Sequence, residues 1–207
     1  MFCHAAIEHT TLELLKRIQA LPELAATRLV GGTALAMQLG HRISVDLDIF
    51  GEWDLTRSLE AALRTVGDVQ KPRPSKDSRL QFFDVDGVKV DFVTYSRYPW
   101  LDPPVCEEGV RLASERDIAA MKINAITNRG TRKDFVDLAF LLRRHSLAEM
   151  VGWYVDKYPD GHVALAVRSL SYFADAEEMP LPTMLLPFDW DKAKDAIRSA
   201  VRELFVQ

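Results

Sequence analysis

Cysteine is scarce in this chain of 207 residues: Cys3 and Cys106 are the only two. Two thiols make neither a disulfide framework nor a metal knuckle, and a reducing cytoplasm is the expected location. Long apolar runs are missing as well. None approaches the roughly 20 residues that cross a bilayer. The N-terminus carries His4, Glu8 and His9 where a secretory signal would carry a basic stretch and an apolar core, so no signal peptide is expected. There is no excess of positive charge. A net charge of −4 argues against coating nucleic acid by bulk electrostatics, while a local basic patch that grips an RNA end stays open. What is present is ordinary for a globular protein: 48% hydrophobic and 27% charged residues. The length suits one large domain or two small ones.

Ile7, Leu12, Leu14, Leu15, Ile18 and Leu21 fall at mostly helical spacing, and Pro22 stops them. Leu29-Val30 reads as a short strand that runs into Gly31-Gly32. Residues 33–39 predict a helix with Gly40 as its stop. Val45-Asp46-Leu47-Asp48-Ile49-Phe50 alternates apolar and acidic residues, which predicts a strand with one apolar and one carboxylate face. Residues 56–66 predict a helix, and 71–78 a proline-containing loop. The runs 80–85 and 88–95 flank Asp86-Gly87, a strong signal for a tight hairpin. Pro99, Pro103 and Pro104 mark an irregular segment, so a domain boundary is expected within 98–113. Beyond it the pattern is helical. Ser114 and Asp117 form a capping box with Asp in the usual Glu position, Gly130 ends that helix, and Thr131 with Asp134 caps the next. Segments 147–158, 162–173 and 191–205 complete the helical half, and their apolar spacing, Trp153, Tyr154, Phe173 and Trp190 included, reads as packing. The expected fold is α+β: an α/β domain over 1–105, with a small mixed β-sheet and flanking helices, then a helical bundle over 106–207.

Asp46 and Asp48 are two apart on a strand, so both carboxylates point to one face, roughly 6–7 Å from each other. Like charges so placed raise a pKa unless a cation compensates. A hard divalent ion such as Mg²⁺, or Mn²⁺, is the simplest compensation. A solvated face of alternating acids is the other reading of this pattern alone. Asp91 lies on the second strand of the hairpin. If that strand neighbours the Asp46 strand, three carboxylates converge and can hold two ions about 3.5–4 Å apart, the geometry that activates a hydroxyl and neutralises a leaving pyrophosphate. Alone, Asp91 reads as an edge-strand acid. Gly31-Gly32-Thr33 stands between a strand and a helix. Glycines let backbone approach a ligand, the helix start offers N–H groups to phosphate, and Thr33 adds a hydroxyl.

The run from Gly31 to Phe50 resembles the active-site signature of the nucleotidyltransferase superfamily with the polymerase-beta-like fold. More narrowly, it resembles the AbiEii/AbiGii toxin family of bacterial nucleotidyltransferases. There a Gly-Gly/Ser element precedes an Asp-x-Asp strand, and a later helical motif holds a lysine, an arginine and then Lys-Asp-x-x-Asp. Lys122, Arg129, Lys133, Asp134 and Asp137 stand in that order here. The similarity covers residues 28–145 and, more faintly, the helical tail.

The resemblance implies an N-terminal nucleotidyltransferase domain and a helical domain that completes the active-site cleft. It implies NMP transfer from an NTP to an acceptor hydroxyl, by the toxin of a toxin–antitoxin or phage-abortive-infection system acting on tRNA or other RNA and opposed by an antitoxin protein. The alternatives are a transferase that modifies a small molecule or a protein, and a non-catalytic GTP- or ATP-binding module. Asp46, Asp48 and Asp91 would hold the metal, with Lys122 and Asp137 in the catalytic set. Gly31, Gly32, Thr33, Arg42, Ser44, Lys122, Arg129, Lys133 and Asp134 would bind the nucleotide. Lys122 would serve the triphosphate as a point charge, and Arg129 as a fork. Arg42 could instead neutralise the acidic face. Asp134 has a second reading as a helix cap, and Asp137 as a salt-bridge partner of Lys133 or Arg129. Ser44 should face the same way as Asp46, and the resemblance places it beside the metal.

Overall fold

The computed structural model describes residues 1–53, 58–73, 77 and 79–206, with residues 71–73 described by backbone only. Two units follow from its internal contacts: Met1–Tyr98 with Pro103–Ala113, and Pro99–Asp102 with Ser114–Gln207. The expected division fell at 105/106. By contact, residues 106–113 go with the first unit and Pro99–Asp102 with the second.

The first unit runs α1 (His9–Gln19), β1 (Arg28–Leu29), α2 (Gly31–Leu39), β2 (Leu47–Gly51), α3 (Leu59–Leu63), β3 (Val69–Arg73), β4 (Leu80–Val85), β5 (Val88–Thr94), β6 (Val105–Glu107) and β7 (Val110–Leu112). Its strands form one mixed sheet in the order β3-β4-β5-β2-β1-β7-β6. The pairs β2–β5 and β1–β7 are parallel, and the rest antiparallel. The expected mixed sheet with flanking helices is thus present.

Local chemistry accounts for most of these elements. Asp86 and Gly87 have φ of 52° and 80°, the left-handed pair that a two-residue hairpin between twisted strands requires. Leu47, Ile49, Val90 and Phe92 alternate along β2 and β5 and are fully buried. Each is worth about 1.5–3 kcal/mol of apolar burial, and a one-residue slip would turn all four outward. Helix α2 packs on β2, and α1 on β7.

Four sequence expectations change. Residues 71–73 were expected in a loop, yet they belong to β3. This is the edge strand of the sheet, the position at which a sheet accommodates proline, and its register with β4 shifts between Gln70 and Arg73. The irregular segment after Pro99 contains the β6–β7 hairpin, turned by Glu108 (φ 51°) and Gly109 (φ 80°). Its strands are three residues long, too short to show alternation. Helix α2 begins at Gly31, so both glycines lie in its first turn and not before it. Strand β2 begins at Leu47, which leaves Asp46 just outside the ladder. Of the helix expected over 56–66, α3 forms with Ser58 as its cap; residues 56 and 57 lie outside the described residues, as do 74–76 and 78 of the expected loop.

The second unit is helical: α4 (Glu115–Asn128), α5 (Arg132–Leu141), α6 (Leu147–Lys157), α7 (Val163–Ser169), α8 (Ala174–Glu177) and α9 (Trp190–Glu203). Helices α5, α6 and α7 all pack on α4, whose Ile118, Ala119, Ile123 and Ile126 are buried. Asp117 does more than complete a capping box. Its carboxylate, fully buried, accepts from Lys157 Nζ at 2.7 Å, Leu101 N at 2.9 Å and Ser114 Oγ at 2.7 Å. Lys157 also reaches the Pro99 carbonyl at 2.8 Å and lies over the Trp100 ring. This ion pair ties residues 99–102 to the bundle. The aromatics of the tail pack as expected: Phe173 meets Phe135 and Trp190 at ring distances of 4.8 and 6.0 Å.

Candidate functional site

Strands β2 and β5 are adjacent and parallel, and Asp48 stands directly opposite Asp91. In-register residues of a parallel pair share a face, about 4.8 Å apart. Leu47, Ile49, Val90 and Phe92 take the buried face, so both carboxylates take the other one. Asp46 has the same parity as Asp48 and lies one residue before the strand. Asp48 and Asp91 therefore share one face of two neighbouring strands, while Asp46 precedes the ladder and is paired with neither.

The glycine turn lies against them. Gly31 has φ +68°, and a Cβ placed there would come within 2.7 Å of Asp48 Oδ2. Val30 N donates to Asp48 O at 2.8 Å. Glycine is needed here twice over, for its backbone angle and for the close approach. Thr33 departs from expectation. It is buried, its hydroxyl donates to the Asp46 carbonyl, and its Oγ1 is hydrogen-bonded to the Ser44 hydroxyl at 2.8 Å. It pins the chain entering β2 and does not face outward as a phosphate donor. Ser44 is thereby placed beside Asp46. Arg42 is buried too, with Nη1 3.2 Å from the Ile43 carbonyl.

Lys89 was absent from the sequence expectations. It sits two residues before Asp91, on the same face, with Nζ 2.7 Å from Asp91 Oδ2. Burial pulls its pKa down, but the hydrogen bond to Asp91 and the charges of Asp91, Asp46 and Asp48 outweigh that and leave it raised. One ammonium thus answers all three acids. Asp84, opposite Lys89 on β4, carries that face one strand further. The period-two position was the available signal for both residues.

The donor chemistry suits a hard divalent cation: carboxylates of like charge converge, and Asp91 Oδ1 and Asp84 Oδ1 are buried without a hydrogen bond. Among the described residues no three acidic, histidine or cysteine groups are already drawn together as a metal-holding cluster. The carboxylates would have to close on an ion and release Lys89.

In the helical unit, Lys122 is buried between two carboxylates, 2.9 Å from Asp134 Oδ1 and 2.5 Å from Asp137 Oδ2. Neither acid is exposed. Asp134 also accepts from Thr131 Oγ1 at 2.5 Å and from Arg129 Nε at 3.3 Å. Burial alone would raise its pKa, but Lys122, Arg129 and Thr131 bring it from an ordinary 3.8 to about 2. Thr131 was expected to cap α5 with its side chain; its hydroxyl goes to Asp134 instead. Asp137 pairs with Lys122, where Lys133 or Arg129 was expected. Lys133 is exposed.

A family model described as "Nucleotidyl transferase AbiEii toxin, Type IV TA system" matches residues 13–203. The chain belongs to the AbiEii nucleotidyltransferase family. An uncharacterized protein of Aquifex aeolicus (strain VF5) is 34% identical over 198 residues, covering 92% of this chain and 94% of its own. Among solved structures, the Megavirus polyadenylate synthase aligns with a TM-score of 0.45 at 10% identity, over 64% of this chain and 31% of that one. The AbiEii match spans both units and takes in Gly31, Asp46, Asp48, Asp91, Lys122, Asp134 and Asp137. Among the described residues no helix of this nucleotidyltransferase is long and apolar enough to cross a membrane.

Proposed function

We propose that the chain is a cytoplasmic, Mg²⁺- or Mn²⁺-dependent enzyme that transfers NMP from an NTP to an acceptor hydroxyl of RNA, tRNA foremost, as the toxin of a toxin–antitoxin pair. The observation that carries this reading is the in-register Asp48–Asp91 pair beside the Gly31 turn. Asp46, Asp48 and Asp91 would hold the metal, which when bound supplies charge neutralisation at the phosphates. Gly31 and Gly32, in the first turn of α2, offer backbone N–H groups to phosphate oxygens. Asp91, with Oδ1 not hydrogen-bonded, orients the acceptor hydroxyl and takes its proton. The acceptor oxygen bonds to the α-phosphorus, the bond from that phosphorus to the β-phosphate oxygen breaks, and pyrophosphate leaves. Alignment and fixed charge supply most of the acceleration. Lys122 and Asp137, paired with each other, act here as positioning residues, because a buried ammonium held by two acids is not presented to a triphosphate. The family's description as part of a toxin–antitoxin system supports an antitoxin as partner.

The test is incubation with total RNA, each labelled NTP and Mg²⁺. Label should enter RNA with the wild type and not with Asp46→Ala or Asp48→Ala. Label entering a small molecule or protein would move the acceptor out of RNA, and no incorporation into any acceptor would defeat the transfer reading.

A further inference from the structure

Within the helical unit a cavity of about 350 Å³ opens where the end of α4 meets α7. Its size falls in the range of small-ligand sites, about 300–1,000 Å³. Arg129, Arg168, Tyr172 and Asp175 line it, together with Leu165 and Ile126. Arg129 is anchored through Nε on buried Asp134, with 62% of its side chain exposed. Its two terminal amines make no hydrogen bond among the described residues. The side chains of Arg168, Tyr172 and Asp175 likewise have no hydrogen bond, ion pair or ring contact among those residues. Tyr172 is 59% exposed.

These groups form a readable set. Arg129, whose charge already answers Asp134, presents its two terminal amines, and with the Arg168 guanidinium these forked donors match phosphate oxygens. An exposed tyrosine ring has no use for inorganic phosphate, but it gives a nucleobase a face to stack on. The Asp175 carboxylate accepts from a ribose hydroxyl or a base N–H. We propose that this cavity binds a nucleoside monophosphate unit, either free or at the end of an RNA strand. The phosphate lies on Arg129 and Arg168, and the base against Tyr172. The inference rests on the nucleotidyltransferase reading for the use to which the bound unit is put, while the site stands on its own lining.

The test is equilibrium binding to the full-length chain in EDTA, which separates it from the metal-dependent site. The probes are AMP, GMP, inorganic phosphate and a labelled pentaribonucleotide. A nucleotide probe should bind at least about tenfold tighter than inorganic phosphate, the gain expected of one stacked base. Arg168→Ala and Tyr172→Ala should each weaken it about tenfold. Both side chains are at the surface, so an unchanged melting temperature verifies folding. Arg168→Ala should also reduce the salt slope of binding by about one. Tighter binding of the pentamer than of either mononucleotide identifies an RNA end as the occupant; equal binding identifies the free nucleotide. Binding no tighter than that of phosphate, or insensitive to either substitution, overturns the proposal. So does loss of EDTA-resistant binding in Asp46→Ala, which would put the ligand elsewhere. If Asp46→Ala abolishes transfer and leaves this binding intact, the two readings stand separately; if the wild type shows no transfer but binds, only the catalytic reading falls.

Discussion

Asp48 and Asp91 stand opposite each other on adjacent parallel strands, and Lys89 reaches Asp91 from the same face at 2.7 Å. A protein that needed only a stable sheet would gain little from this arrangement, since like charges directly opposite destabilise a ladder. The lysine offsets that repulsion within the chain. A divalent cation would offset it better, with two charges in place of one.

Lys89→Met tests this relation. Without the ammonium, repulsion among Asp46, Asp48 and Asp91 should lower the melting temperature in EDTA. Because no internal cation then competes, Mg²⁺ or Mn²⁺ should bind more tightly than to wild type. Added metal should therefore raise the melting temperature of the variant more than that of wild type. Thermal scans over a metal titration check both outcomes; an equal rise in the two proteins would contradict the counter-ion role.

Gly31→Ala should be costly for two reasons. A side chain at φ +68° is strained, and its Cβ would collide with Asp48 Oδ2 at 2.7 Å. Strain alone costs about 1–2 kcal/mol, and displacing the carboxylate adds to it. Gly87→Ala is the comparison, since φ is +80° there but nothing lies within 4 Å of the added atom. The expected result is a clearly larger loss of stability at Gly31, by denaturant unfolding, together with loss of transfer activity at Gly31 only.

Asp134 makes stability depend on acid. Its carboxyl falls from 3.8 to about 2 on folding. A depressed carboxylate contributes stability that is present above the unfolded pKa and is lost as pH falls through the folded one. The buried, triply held group is worth about 2 kcal/mol at neutral pH. Stability should be flat in this contribution above about pH 5 and should drop between about pH 4 and pH 2. Asp134→Asn should flatten that acid limb and, by weakening the hold on buried Lys122, cost about 3 kcal/mol at pH 7. Urea midpoints against pH for the two proteins check it.

Much of this was legible in the residues because it depends on short-range rules. The period of two set Asp48 on the face opposite buried Leu47 and Ile49, and Asp86-Gly87 announced the β4–β5 hairpin. Other features are tertiary. That β2 lies beside β5 and not at an edge is a matter of strand order, which alternation does not encode. Whether Lys122 faces a ligand or two buried acids depends on how α4 meets α5, and its sequence spacing suits both. Thr33 looked like a phosphate donor by position, but its hydroxyl turns inward to Ser44 because α2 starts two residues earlier than its apolar pattern indicates. The β6–β7 hairpin was missed because strands of three residues carry no periodic signal.

The most direct measurement of the central claim is Mn²⁺ binding, by electron paramagnetic resonance, to wild type, Asp48→Asn and Asp91→Asn, with Asp156→Asn on the exposed face of α6 as control. Losing a group in the second coordination shell typically costs 10–100-fold in metal affinity, so losing a ligand should cost at least about 100-fold. The account predicts such a loss in both strand variants and none in the control. Undiminished Mn²⁺ binding in Asp91→Asn would contradict it, because the acids of β2 and β5 would then not share an ion.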